Sequence, residues 1–82
     1  MNDRDDALER AYAVQIQAEL IDRGSNVKAL AAELGIAYSA LRNYLFLGPV
    51  RRSMSLDTLI DVCRVLGISL ATLDERARQR LE

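Results

Sequence analysis

Between positions 38 and 43 the chain sets out a phenol, a hydroxyl, a guanidinium and a carboxamide: Tyr38, Ser39, Arg42 and Asn43. If the segment is helical, these four lie on its outward side, and Leu41, Tyr44 and Leu45 fall on the buried one. Groups of these types on one helix face can read the edges of nucleic-acid bases. Arg42 can donate two parallel hydrogen bonds to guanine O6 and N7, a contact worth about 1–3 kcal/mol of discrimination. Asn43 can pair bidentately with adenine, Ser39 can reach a base edge or a phosphate, and the flat ring of Tyr38 can pack on a thymine methyl. The competing reading of all four is a solvated helix face, where arginine and asparagine ordinarily lie. Arg51 and Arg52 follow in the same stretch, and no acidic residue occurs between Leu34 and Leu56. The formal net charge is −1, but Asp3, Asp5 and Asp6 crowd the start of the chain. What counts for a partner is where charges lie rather than their sum. The alternative is a chance gap in a chain that is 28% charged.

The elements that must position these groups can be read from spacing. Val27, Leu30, Ala31 and Leu34 recur at three- and four-residue intervals, one face of a short helix. Asn26 is placed to cap it, and Gly35 to end it in the left-handed conformation that glycine adopts cheaply. Ile36 and Ala37 complete a turn, and a second helix starts near Tyr38, so residues 26–47 read as helix-turn-helix. Upstream, a long helix is expected from a frayed, solvated start at Met1 to Asp6, with Asp5 or Asp6 as a cap, to about Arg23. Its buried stripe is predicted from Leu8, Val14, Ile16, Leu20, Ile21 and several alanines, with Glu9, Arg10, Gln15, Gln17, Glu19 and Asp22 toward water. Tyr12 is expected to be a half-buried packing residue. Gly48-Pro49 opens a loop to Met54, because proline neither extends a helix nor tolerates a helical residue before it. Ser55 then caps a fourth helix with Asp57 in its first turn, Leu56, Leu59, Ile60, Cys63 and Leu66 inward, and Gly67 at its end. Ser69 caps a fifth, carrying Leu70, Leu73, Ala77 and Leu81, whose charged end either projects as a partner contact or frays.

Composition narrows the classes. Eighty-two residues with one proline and four glycines describe one small all-α domain, 1–82. Without histidine, and with a lone cysteine at a core spacing, there is no nucleophile–base pair or metal cluster, so no enzyme, no cofactor and no metal are expected. Cys63 reads as a small apolar residue, and no disulfide is expected. No stretch approaches the roughly eighteen apolar residues of a membrane span, and the acidic N-terminus is unlike a signal peptide. A cytoplasmic protein is expected.

The series Leu30-Ala31-x-x-Leu34-Gly35-Ile36-x-x-Ser39-x-Leu41 resembles the helix-turn-helix of the Cro/C1-type bacterial and phage repressors. Downstream, Leu56-x-x-Leu59-Ile60-x-x-Cys63-x-x-Leu66-Gly67-Ile68 is similar to that family's fourth helix and its exit into a fifth. The likeness spans roughly Leu20 to Leu73. It implies a compact five-helix, lambda-repressor-like fold in which the second motif helix enters the major groove of double-stranded DNA. On that likeness Tyr38, Ser39, Arg42 and Asn43 are the base readers, and Arg51 and Arg52, in the loop that follows, would meet phosphates. A solubilising loop is the other reading of the two arginines. Asn26 and Lys28, at a helix N-terminus, would also meet phosphate.

Two stretches depart from the family pattern. A glutamine commonly begins the first motif helix and bonds phosphate; Val27 stands here, so that contact is missing or moves to Asn26 or Lys28. Leu45-Phe46-Leu47 cannot all face one core, and Phe46 or Leu47 would cover helix five or join a dimer surface. The resemblance implies a sequence-specific transcriptional regulator, of phage or prophage repressor type, that occludes a promoter at an operator. It would bind as a homodimer through the C-terminal helix, as a dimer formed on DNA, or as a monomer, with no membrane and no small-molecule ligand. Ten arginines against one lysine, with much alanine, suggest a GC-rich bacterial host. Two rivals stay open: an antitoxin or anti-repressor that uses the fold to bind protein, and a nonspecific nucleoid-type binder.

Overall fold

The computed structural model describes residues 3–82 and, among them, five helices and no strand: α1 Asp3–Asp22, α2 Val27–Leu34, α3 Tyr38–Tyr44, α4 Leu56–Leu66 and α5 Leu70–Gln79. Local chemistry sets most of the boundaries. The carboxamide oxygen of Asn26 accepts the Ala29 N–H at 2.8 Å, and Ser55 and Ser69 accept those of Thr58 and Thr72 at 3.2 and 3.0 Å. Each bond satisfies a first-turn donor that the helix itself cannot. At the other ends, Gly35 and Gly67 adopt φ of 70° and 71°, the left-handed cap that a side chain would resist.

Met1 and Asn2 lie outside the described residues. The expected frayed start is otherwise corrected: the chain is helical from Asp3, so Asp5 and Asp6 lie inside α1, past the position of an N-cap. The core gathers Ile16 and Leu20 from α1, Leu30 and Ala31 from α2, Leu41 and Leu45 from around α3, Val62, Cys63 and Leu66 from α4, and Leu73 from α5. The radius of gyration is 11.9 Å, close to the roughly 12 Å of a compact chain this long. No helix of the described residues is long and apolar enough to cross a membrane.

α1 departs most from the sequence reading. Val14 and Ile21, expected inside, are 42% and 74% exposed, while Gln15 and Glu19, expected in water, are buried. The cause is α5, which lies along α1 and does not project from the domain as its charged end suggested. Glu19 receives hydrogen bonds from Gln15 (2.6 Å) and Arg76 (2.8 Å), Arg80 donates to Gln15 (2.7 Å), and the Tyr12 hydroxyl donates to Asp74. Burial would raise the Glu19 carboxyl, but the hydrogen bonds from Arg76 and Gln15 and the charges of Arg76 and Arg23 hold it below its usual value. Burial, reinforced by the bond and charge of Asp74, pushes the Tyr12 phenol up to about 12. A polar seam thus joins the first helix to the last. In α4, Leu56 and Ile60 face solvent, and Val62 takes the inward place expected of them.

Candidate nucleic-acid interface

α2 and α3 meet across a short turn in which the Ile36 N–H returns to the Ala31 carbonyl at 3.1 Å. Leu30, Leu41 and Leu45 are fully buried, so α3 is pinned along its inner side. What it presents outward is Tyr38 and Ser39, both exposed, with Arg42 and Asn43 partly so. The four expected base readers therefore share one accessible face. They are not equivalent.

The Arg42 guanidinium lies 5.7 Å from the Tyr38 ring centroid and donates through Nη2 to the Leu47 carbonyl at 2.8 Å. That bond uses one of five N–H donors, and the stack holds the fork over Tyr38. Asn43 is bound into the structure of the following loop. Its Oδ1 accepts the Val50 N–H at 3.4 Å, and its main-chain carbonyl accepts that of Arg52 at 3.3 Å. A Cβ at position 48 would stand 2.0 Å from that Oδ1, which explains Gly48 by close approach and not by backbone conformation. A bidentate adenine contact needs the same acceptor that Val50 now holds.

The two loop arginines separate. Arg52 is exposed at the rim of a cavity of about 170 Å³ lined by Tyr12, Ile16, Tyr44, Phe46 and Met54. Arg51 turns toward α1, where its Nη2 donates to Asp6 and, at 2.7 Å, to Glu9. Glu9 also receives the Ser53 hydroxyl, at 3.1 and 3.3 Å to its two oxygens. Phe46 adopts φ of 63°, rare for a bulky residue, and its ring lies 4.7 Å from the Arg10 guanidinium and 5.1 Å from that of Arg51. Phe46 therefore packs beside the cations of α1 and the loop, not over helix five. Of the LFL run, Leu45 is buried, Phe46 half-buried and Leu47 exposed.

At the other edge, Asn26 and Lys28 are both exposed at the start of α2. The Asn26 oxygen is taken by its capping bond, which leaves its amide N–H groups outward. Val27 is half-buried against the core and offers no polar group. Gln17, expected to face water, donates to the Leu45 carbonyl at 3.3 Å and so ties α1 to the end of α3. Sequence reasoning missed Gln17, and it also missed Asp6 and Glu9. The stretch from Leu34 to Leu56 is free of acids along the chain, yet in space two carboxylates from α1 stand against Arg51. The signal was a loop arginine with no acid near it in sequence and acids in plenty upstream; nothing local said which would meet. Among the described residues no cluster of histidine, cysteine, aspartate or glutamate could hold a metal ion.

Searches of curated proteins and of solved structures find no match to the chain. A family model described as the Cro/C1-type HTH DNA-binding domain matches residues 15–76, from the middle of α1 to within α5. That span contains the whole helix-turn-helix and the polar face of α3, and covers well over half of the 82 residues: the chain belongs to the Cro/C1-type helix-turn-helix DNA-binding family.

Proposed function

We propose that this protein is a sequence-specific regulator of transcription that acts on double-stranded DNA. α3 docks in the major groove of an operator and shuts RNA polymerase out of the promoter. The observation that carries this reading is the outward face of α3, where Tyr38, Ser39 and Arg42 stand accessible on a helix anchored from behind by Leu41 and Leu45. Arg42 reads guanine with the donors left over from Leu47, while Ser39 and Tyr38 take neighbouring base edges. Asn43 reads through its amide N–H groups, since its acceptor serves Val50. Lys28, Asn26 and Arg52 flank that face and meet phosphates, which set position and carry no sequence information. A phage or prophage repressor in a bacterial cytoplasm is the context that fits a domain of this kind. Two copies would pair on half-sites about one turn of DNA apart. The inward side of α5 is taken by α1, so such a pair would form on DNA or through the outer side of α5 and the exposed Leu81.

The test is selection of bound sites from random duplex DNA at roughly physiological salt. A sharp motif is expected, and its symmetry reports one copy or two. A folded protein that enriches no sequence refutes specific recognition. A second reading, a module whose main partner is another protein, draws on exposed Leu47 and Val50 beside α3 and on the net charge of −1. A stoichiometric protein complex that survives high salt without DNA would favour it.

A further inference from the structure

We propose that Glu9, with Asp6, is a positioning residue for DNA binding: acting through Arg51 and Ser53, it holds the segment after α3 against α1 and touches no DNA itself. The inference rests on the DNA-binding reading above.

Residues 46–53 carry Arg52 and bound the face of α3, so the position of this loop sets where a phosphate contact can form. It has no regular structure of its own and is tied on two sides. On one, Asn43 receives the main-chain N–H groups of Val50 and Arg52. On the other, Glu9 receives both the Arg51 guanidinium and the Ser53 hydroxyl, two residues of the same loop. Phe46, in its uncommon backbone conformation, places its ring 5.1 Å from the Arg51 guanidinium and 4.7 Å from that of Arg10 on α1. Exposed ion pairs are weak singly; several that converge on eight residues restrain them together.

The rival view is that the carboxylates merely occupy Arg51 until a phosphate displaces them. A stand-in for phosphate has to grip only the guanidinium. Glu9 also binds an uncharged hydroxyl two residues on, which serves anchoring and not the storage of a cation. The matched family span begins at residue 15 and does not reach Asp6 or Glu9, so the anchor is argued from the geometry alone.

The experiment compares the full chain with Glu9→Gln, Arg51→Gln, Arg52→Gln and the charge-silent Ser53→Ala. Two readouts are used: amide hydrogen exchange at Val50 and Arg52 without DNA, and duplex affinity across a salt series. In the free protein, exchange at both amides should accelerate in the Glu9, Arg51 and Ser53 variants. Glu9→Gln and Arg51→Gln should each weaken DNA binding about two- to fivefold with the salt slope unchanged, and the double variant should be no weaker than either single. Arg52→Gln should instead lower the slope by about 0.9. Stronger binding by Glu9→Gln, or a slope about 0.9 lower for Arg51→Gln, overturns the anchor and makes Arg51 a phosphate contact. If the parent binds no duplex, the proposed function fails; exchange then decides the anchor alone, and unchanged exchange in Glu9→Gln refutes it.

Discussion

Replacing Glu19 tests whether the seam between α1 and α5 carries the weight that its geometry implies. Its Oε2 accepts from Gln15 at 2.6 Å and from Arg76 at 2.8 Å, and the residue is only 9% exposed. Glu19→Ala strands the buried Gln15 amide, and a buried donor without a partner costs about 1–3 kcal/mol. Arg76 loses its partner too, but its side chain is 46% exposed, so that part is discounted to about 0.5 kcal/mol. The sum is about 1.5–3.5 kcal/mol, a large share of the roughly 4–12 kcal/mol available to a domain this size. At about 4–8 °C per kcal/mol, the melting temperature should fall by about 6–28 °C. Glu19→Gln keeps the shape and one oxygen able to accept both donors, so it should lose only about 1 kcal/mol, the ionic part. The pH dependence separates charge from shape. The folded carboxyl lies below its ordinary value of 4.5, so its stabilisation is complete above that pH and is lost as pH falls through the depressed folded value. The deficit of Glu19→Gln at pH 7 should therefore narrow on acidification below 4.5, as read from thermal melts followed by far-ultraviolet circular dichroism. A deficit that stays constant into strong acid would refute an ionic role for Glu19.

Three further substitutions probe the interface. Arg42→Ala should relax preference at one base position by about 1–3 kcal/mol, measured by competition among single-base variants of a selected site; equal weakening on every sequence would exclude base reading. Gly48→Ala should drive the Asn43 carboxamide off Val50, because the new Cβ would otherwise lie 2.0 Å from its oxygen. Exchange at the Val50 amide should then quicken with little change in melting, and an unaltered rate would mean that Asn43 does not hold the loop. Phe46→Gly should relieve about 1 kcal/mol of left-handed backbone cost, but it forfeits two cation–π contacts at about 0.5–1 kcal/mol each and a half-buried ring. A net loss of about 1–2 kcal/mol in urea unfolding is expected; a more stable variant would show that strain outweighs the contacts.

Short-range features were legible in the sequence and long-range ones were not. Asn26, Ser55, Ser69, Gly35 and Gly67 are caps because of bonds made within four residues, so reading them needs no knowledge of the fold. The accessible side of α3 followed likewise from Leu41 and Leu45. Apolar spacing misled where a helix packs on two neighbours. Ile21 fits a stripe on paper and lies in water, while Gln15 and Glu19 are inside because Arg80 and Arg76 arrive from α5. The repeated four-residue step in both pairs, 15 to 19 and 76 to 80, was the available hint. The carboxylates beside Arg51 were hidden for a related reason: Arg51 and Glu9 are 42 residues apart, and only the fold brings them together.

The clasp between α1 and α5 also bears on the order of folding. Its polar contacts join residues 57, 62 and 65 positions apart, whereas the helix-turn-helix closes through neighbours. Loop-closure entropy must be met before such distant contacts return anything. The helix-turn-helix can thus form early from local pieces, with α5 docking onto α1 after it. When α5 lifts, the apolar faces of Leu73 and Ala77 meet water together with the buried flank of α1. Changes that weaken the seam without reaching the DNA-reading helices, such as Glu19→Ala, should therefore yield a molecule that still presents α3 but opens more readily at its chain end.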